Sequence, residues 1–186
     1  MGELTQLLQA MREGEGGAVD RMFALTYAEL RDLAHKRVQL SNPVTVLDTT
    51  SLVHECYLRL VRLGQLNAKD RSHFLAYSAR VMRSIVVDLM RQRLAQRRGG
   101  DELRVTLATD VADIATMDER QVLRVNEALE ELAQLDPRLV EVVEMKYFAG
   151  LSVAEIADAL GVTVRTVSRD WEKARMILYS ALANPG

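Results

Sequence analysis

Residues 151–175 carry several signals that together predict two short helices joined by a tight turn. Ser152 precedes an apolar run, and Glu155 follows three residues later, which is the spacing of a capping box at a helix start. Gly161 suits the turn, because glycine adopts a positive φ at little cost. Thr163 can then cap a second helix. The pattern predicts a helix-turn-helix.

The second helix of this motif has an apolar face and a polar face. We expect Val164 and Val167 to pack it against the first helix, and we assign Trp171 to packing as well. Cations and hydroxyls near the helix start suit base edges and phosphates in the major groove of DNA. The residues that we assign to this DNA-binding surface are Thr163, Arg165, Thr166, Ser168, Arg169 and Lys173. The alternative is a helical hairpin whose charged residues simply face water.

Helical periodicity also dominates the rest of the chain, and a low aromatic content of 5% with only 3 Pro favours helices over a sandwich or barrel. Residues 97–118 lack a sustained apolar stripe and resemble a linker. We therefore predict an all-α fold of two small helical domains, residues 1–96 and residues 119–186, joined by a flexible linker at 97–118. A single Cys and the lack of a long apolar run or a signal-like start favour a cytoplasmic protein without a membrane span.

The charge is distributed unevenly along the chain. The net charge of −2 argues against a simple nucleic-acid binder. Residues 69–98, however, hold eight Lys or Arg against two Asp, whereas residues 101–144 hold twelve acids against four Arg. The basic block is a predicted helix from Ser72 to about Gln96, and its arginines are spread along it as a phosphate track would require. This distribution predicts one surface for phosphates and a second surface for another task.

The order of motifs in the chain resembles that of regions two and four in the extracytoplasmic-function (ECF) sigma factors of bacterial RNA polymerase. Leu52-Val53-His54-Glu55 is similar to the family's Leu-Val-Gln-Glu. Ala79-Arg80-Val81-Met82-Arg83, followed by Ile85-Val86-Val87-Asp88, is similar to its Arg-Ile-Ala-Arg-Asn and Ile-Asp run. Residues 151–175 are similar to its region four. The resemblance covers roughly residues 18–98 and 120–182, and it implies a non-catalytic specificity subunit that reads promoter DNA.

The resemblance implies two DNA contacts, in which region two captures unpaired bases of the minus-ten element and region four reads the minus-thirty-five duplex. The region-two residues that we assign are His73, Tyr77, Arg80, Arg83, Ser84 and Arg91. Aromatic rings there could stack on bases of a melted strand, although we assign Phe74 to the helix core. Ser84 stands where the family often has Asn, so this position departs from the family's pattern for base capture.

The family commonly has Asp-Ala-Glu-Asp before its Leu-Val-Gln-Glu, whereas this chain has Asp48-Thr49-Thr50-Ser51. The resemblance places polymerase docking, on the clamp helices of the largest subunit, at Asp48, Thr50, Ser51 and Glu55. Loss of two negative charges there should weaken docking, and phosphorylation would restore charge. The chain also resembles a subgroup of the family that is controlled by a Ser/Thr kinase. This resemblance implies modification of Thr50, then Ser51, then Thr49, by such a kinase. The alternative is that Thr50 or Ser51 merely caps the helix.

The partners implied are the RNA polymerase core, through its clamp helices and flap, and promoter DNA, with a Ser/Thr kinase and an anti-sigma factor left open. The sequence predicts no cofactor and no metal site. His54 and Cys56 are the only His and Cys near each other, and a spacing of two places them on different sides of a helix. The alternatives are a stand-alone helix-turn-helix regulator and, less favoured, an adaptor of a kinase pathway.

Overall fold

The computed structural model describes residues 3–40, 48–63, 68–99 and 109–183 of the chain. Side chains are described for residues 3–11, 13–36, 48–62, 68–96 and 120–183. Every regular element in these ranges is helical, as the sequence predicts. The N-terminal segment consists of α1 (Glu3–Arg12), α2 (Ala18–Leu40), α3 (Thr49–Leu63) and α4 (Arg71–Gly99). The C-terminal segment consists of α5 (Thr109–Leu135), α6 (Pro137–Val143), a π-helical turn (Glu144–Phe148), α7 (Val153–Leu160) and α8 (Val164–Ala183).

The predicted linker overlaps helix at both ends. Residues 97–99 belong to α4 and residues 109–118 belong to α5, while residues 100–108 lie outside the described residues. Good helix formers can extend a helix that is already packed, and the added turns then need no apolar stripe. Ala112 and Ala115 are good helix formers of this kind. The absence of periodicity was therefore a weak guide to the helix start, and the division into two domains stays a prediction.

The core is built from apolar positions at helical spacing. In the N-terminal segment the largest fully buried side chains include Met22, Leu30, Leu52, Phe74 and Met82. Phe74 is therefore a core residue, as expected. In the C-terminal segment the corresponding side chains are Leu129, Leu132, Leu139 and Ile156. Buried residues of both segments form one continuous apolar cluster, because α4 packs against α5 and the π-helical turn.

The π-helical turn extends α6 and changes its register. Each π turn holds one more residue than an α turn, so the side chains that follow rotate relative to those of α6. Glu144, Met145 and Phe148 are buried as a result. Ala149 N–H closes the turn by donating to the Glu144 carbonyl at 2.8 Å. This turn places an acidic side chain against α4.

Candidate nucleic-acid interface

Helices α7 and α8 form the predicted helix-turn-helix, with each predicted cap in place. The Ser152 hydroxyl accepts from Glu155 N–H at 3.3 Å, and the Glu155 carboxylate accepts from Ser152 N–H at 2.9 Å. Hydrogen bonding by Ser152, first through its backbone N–H, lowers the pKa of Glu155. Gly161 has φ +64°, and Thr163 Oγ1 accepts from Thr166 N–H at 3.1 Å. The capping box, the turn glycine and the second cap are confirmed.

The start of α8 presents a polar surface. Arg165, Ser168 and Arg169 are exposed, and together with Thr163 and Thr166 they border a shallow open depression. Lys173 is also exposed, but its ammonium lies 3.7 Å from the Asp136 carboxylate. Five of the six residues assigned to DNA binding thus share one surface, and Lys173 is directed toward α6.

The packing of α8 is carried by residues that differ in part from those predicted. Val167 is fully buried, as expected, but Val164 is 52% exposed, so its predicted packing onto α7 is wrong. Val164 is the first residue of α8, and about half of its surface is open to solvent there. Trp171 is half-buried beneath Lys146, whose ammonium lies 5.5 Å from the ring centroid, which agrees with a packing role.

Asp170 anchors α8 to α6 and was missed by sequence reasoning. Its side chain is 4% exposed, and its Oδ2 lies 2.9 Å from Arg138 Nε in an ion pair rather than a well-aligned hydrogen bond. Arg169 Nε lies 3.8 Å from the other oxygen. Because an acid amid basic residues on a helix usually faces water, nothing in the local pattern indicates that this one is buried.

The region-two residues assigned to DNA lie along α4 but are not equally open. Arg91 and Ser84 are exposed, and Arg80 is half-exposed. Arg83 is only 17% exposed, because its guanidinium is bound to the buried Glu144 and to Asn126. The predicted phosphate track is thus open toward its C-terminal end and largely covered at Arg83.

His73 and Tyr77 lie half-buried in the first turns of α4. Asp70 caps this helix, because its Oδ1 accepts from His73 N–H at 2.9 Å. The other carboxylate oxygen of Asp70 lies 3.0 Å from His73 Nδ1. The imidazole is therefore held by the helix cap, and both side chains remain partly exposed.

Helix α3 begins at Thr49, two or three residues earlier than predicted, and is capped by Asp48. Asp48 Oδ1 accepts from Ser51 N–H at 2.8 Å, and the Ser51 hydroxyl donates to Asp48 Oδ2 at 3.2 Å. The hydrogen bond from the Ser51 backbone lowers the pKa of Asp48. The expectation that Thr50 or Ser51 is the N-cap is wrong, because the carboxylate of Asp48, two or three residues earlier, takes that role. Thr49 is half-buried and Thr50 is exposed.

Arg59 links α3 to α4 and was also missed. It lies 3.5 Å from Glu55, donates to the Ser84 hydroxyl at 3.1 Å and pairs with Asp88 at 3.0 Å. The Arg59 guanidinium group therefore contacts both Glu55, which is assigned to polymerase docking, and Ser84, which is assigned to DNA binding. The four-residue spacing of Glu55 and Arg59 predicts their ion pair, but the contacts with α4 depend on tertiary packing.

An apolar groove on the C-terminal segment lies between α5, the π-helical turn and α8. Its walls include Val125, Leu129 and the half-buried Trp171, and its rim carries Tyr147 and Tyr179, which are 59% and 78% exposed. Met176 at the rim is 72% exposed. Met176 and Tyr179 are apolar residues three positions apart in α8, and this spacing is a signal in the sequence for the groove. The groove was not predicted.

No cluster of potential metal ligands occurs among the described side chains. His54 is exposed, whereas Cys56 is buried on the opposite side of α3, as their spacing predicts. Burial raises the pKa of the Cys56 thiol to about 12, and the thiol donates to the Ser78 carbonyl at 3.8 Å. Cys56 is thus a neutral core residue.

Comparison with known protein families matches residues 1–184 to a single description, ECF sigma factor. The chain belongs to the ECF sigma factor family. Its function is therefore that of an RNA polymerase sigma factor, a regulatory protein whose partners are the polymerase core and promoter DNA. Searches of curated proteins and of solved structures gave no significant match. No described helix is both long enough and apolar enough to cross a membrane.

Proposed function

We propose that this sigma factor reads its promoter with two separate surfaces, α4 for the unpaired minus-ten bases and the start of α8 for the minus-thirty-five duplex. The observation that supports this assignment most directly is the exposed group of Arg165, Ser168 and Arg169 beside the turn of a fully capped helix-turn-helix. Arginine at this end of a recognition helix can bind guanine edges in the major groove. On α4, Ser84 and Arg91 are open to a strand that lies along the helix.

Polymerase docking is assigned to the outer face of α3 and to the apolar groove of the C-terminal segment. The α3 face begins at Asp48, Thr50 and Ser51 and continues through Leu58 and Val61, which are 44% and 43% exposed. An exposed apolar patch rimmed by polar residues is a feature of protein interaction sites. The clamp helices would contact this face and the flap would enter the groove. A protein that makes these contacts acts where the polymerase is, so we propose a cytoplasmic location.

The charge state of the α3 face is proposed to be set by phosphorylation of Thr50, with Ser51 and then Thr49 as weaker candidates. Two observations support this order. Asp48 makes the helix cap, so the cap does not account for a hydroxyl at Thr50, and the Ser51 hydroxyl is already bonded to Asp48. Thr50 is exposed in the first turn of α3, where the helix dipole favours a phosphate. A Ser/Thr kinase would supply the group, and an anti-sigma factor is a further partner to test.

The experiment is a binding titration of core polymerase with the unmodified protein, Thr50→Ala, the protein phosphorylated at Thr50 and a matched hydroxyl control, Ser180→Ala on the exposed side of α8. We expect the phosphorylated protein to bind at least about tenfold more tightly than the others, the gain of roughly one charge-assisted hydrogen bond. Equal affinity of all four proteins would reject the phosphorylation switch and leave the sigma-factor assignment intact.

A further inference from the structure

Glu144 on the π-helical turn is an acid buried against the basic helix α4. Its side chain is 6% exposed. Arg83 donates to Glu144 Oε1 at 2.9 Å, and Arg80 Nε donates to the same oxygen at 3.1 Å and lies 3.0 Å from Oε2, so two arginines of α4 bind the one carboxylate. Arg83 also bonds the buried Asn126 of α5, and its guanidinium carbon lies 5.7 Å from the centre of the Phe148 ring.

This arrangement depends on the C-terminal segment lying on α4. A carboxylate removed from water is tolerated only when it is paired and hydrogen-bonded, and here both partners come from the other segment. A second ion pair crosses the same boundary, because Arg71 of α4 lies 3.7 Å from Glu155 of α7. The contact is therefore specific, and it holds the two segments in one arrangement through charges rather than through apolar packing alone.

The same two arginines are among those assigned to the minus-ten strand. A guanidinium group bound to a carboxylate presents fewer N–H donors to a phosphate, and the 17% exposure of Arg83 leaves little room for a second ligand. Arg91, in contrast, is exposed about two turns further along α4. DNA can thus meet α4 at its open end but cannot occupy the Arg83 position while Glu144 is there.

We propose that the contact of Arg80 and Arg83 with Glu144 is an autoinhibitory latch, in which the C-terminal segment covers the basic face of α4 until nucleic-acid phosphate displaces the carboxylate. The inference rests on the proposed DNA contact of α4. Glu144 and a phosphate compete for the same guanidinium groups, so the closed form binds DNA weakly and opening of the segments is the first step of promoter recognition. Only open molecules bind DNA in this way, so the apparent affinity equals the affinity of the open form multiplied by the open fraction.

The latch is tested in the full chain by comparing Glu144→Gln with Glu141→Gln. Both variants remove one negative charge from the same part of the chain, but Glu141 is exposed on α6 and is not bonded to α4 in the described structure. Binding of a labelled single-stranded DNA oligonucleotide is followed by fluorescence anisotropy. We expect Glu144→Gln to bind about tenfold more tightly than the wild type and Glu141→Gln to change affinity by less than about twofold. Equal gains in the two variants would mean a general charge effect and would overturn the proposal.

A second measurement reports the conformation without DNA. The radius of gyration from small-angle X-ray scattering should be larger for Glu144→Gln than for the wild type and for Glu141→Gln. Arg83→Gln breaks the latch from the other side and should expand the chain likewise, and circular dichroism checks that each variant keeps its helices. If the folded variants are as compact as the wild type, the latch is rejected. Failure of the proposed function is a different result, namely no transcription with core polymerase, while the scattering of the variants still reports the latch.

Discussion

The ion pair between Arg138 and Asp170 makes the most quantitative prediction, because it joins α6 to the DNA-facing helix α8. The Asp170 side chain is 4% exposed, whereas Arg138 is 45% exposed. Removing one partner of a fully buried pair costs about 3–5 kcal/mol. Water can reach the Arg138 side of this pair, so the cost should be smaller than for a fully buried pair. We expect Arg138→Ala to lower the free energy of unfolding by about 2 kcal/mol. For a chain of this size the melting temperature should fall by about 4–8 °C.

The assay is urea unfolding followed by the fluorescence of Trp171, the one tryptophan of the chain, which is adjacent to Asp170 in α8. Arg175→Ala serves as the control, because Arg175 pairs with Glu172 on the surface at 3.4 Å and such pairs contribute about 0–1 kcal/mol. The double variant Arg138→Ala/Asp170→Asn removes the unpaired charge and should recover at least half of the loss. If Arg138→Ala costs no more than Arg175→Ala, or if the double variant recovers nothing, the reasoning about a buried carboxylate is refuted.

Further predictions concern the helix-turn-helix and the core. Ser152→Ala removes the capping box and should cost about 1 kcal/mol in urea unfolding, and a cost near zero would show that the cap is not formed. The pKa of Glu155 is lowered in the folded protein, so its carboxylate contributes to the free energy of unfolding above the ordinary pKa of a glutamate, and this contribution is lost as the pH falls through the lowered pKa. The loss of stability between about pH 5 and pH 3 should therefore be shallower in Ser152→Ala than in the wild type. Equal slopes in the two proteins would contradict this linkage. Cys56, with its pKa raised to about 12, should resist a thiol reagent at about pH 8 until urea unfolds the chain, whereas fast labelling of the native protein would contradict its burial. Ile156→Ala should cost about 2–4 kcal/mol, measured in the same way, because this side chain of α7 is fully buried in the core, and a cost below about 1 kcal/mol would contradict that packing.

Local signals in the sequence predicted the helix-turn-helix well. The capping box, the turn glycine and the Thr163 cap depend on residues within a few positions of one another, so their geometry follows from the local chain. Phe74 was likewise predicted to be buried, because it is an apolar residue within the helical pattern of α4. The cap of α3 was assigned to the wrong residue, because several adjacent side chains could each accept the same hydrogen bonds and only the exact helix start decides among them.

Contacts between residues that are far apart in the sequence could not be predicted from the sequence pattern. The acidic block was expected to provide a separate surface, yet its last member, Glu144, lies buried against the basic block. That position depends on the π-helical turn, which no composition signal indicates, and on the packing of α4 against the C-terminal segment. Asp170 and Arg59 are further cases in which a charged residue has a partner on another helix.

The central claim, that this chain is a promoter specificity subunit with its minus-thirty-five contact at the start of α8, is tested most directly by run-off transcription with core polymerase on promoter fragments. We expect specific transcripts only when the core and this protein are both present. The double variant Arg165→Ala/Arg169→Ala should lose most of the transcript but keep its affinity for the core, and Arg31→Ala, an exposed arginine of α2, should match the wild type. Tight sequence-specific binding of duplex DNA by the protein alone, with no transcript when the core is added, would contradict the claim and indicate a stand-alone regulator.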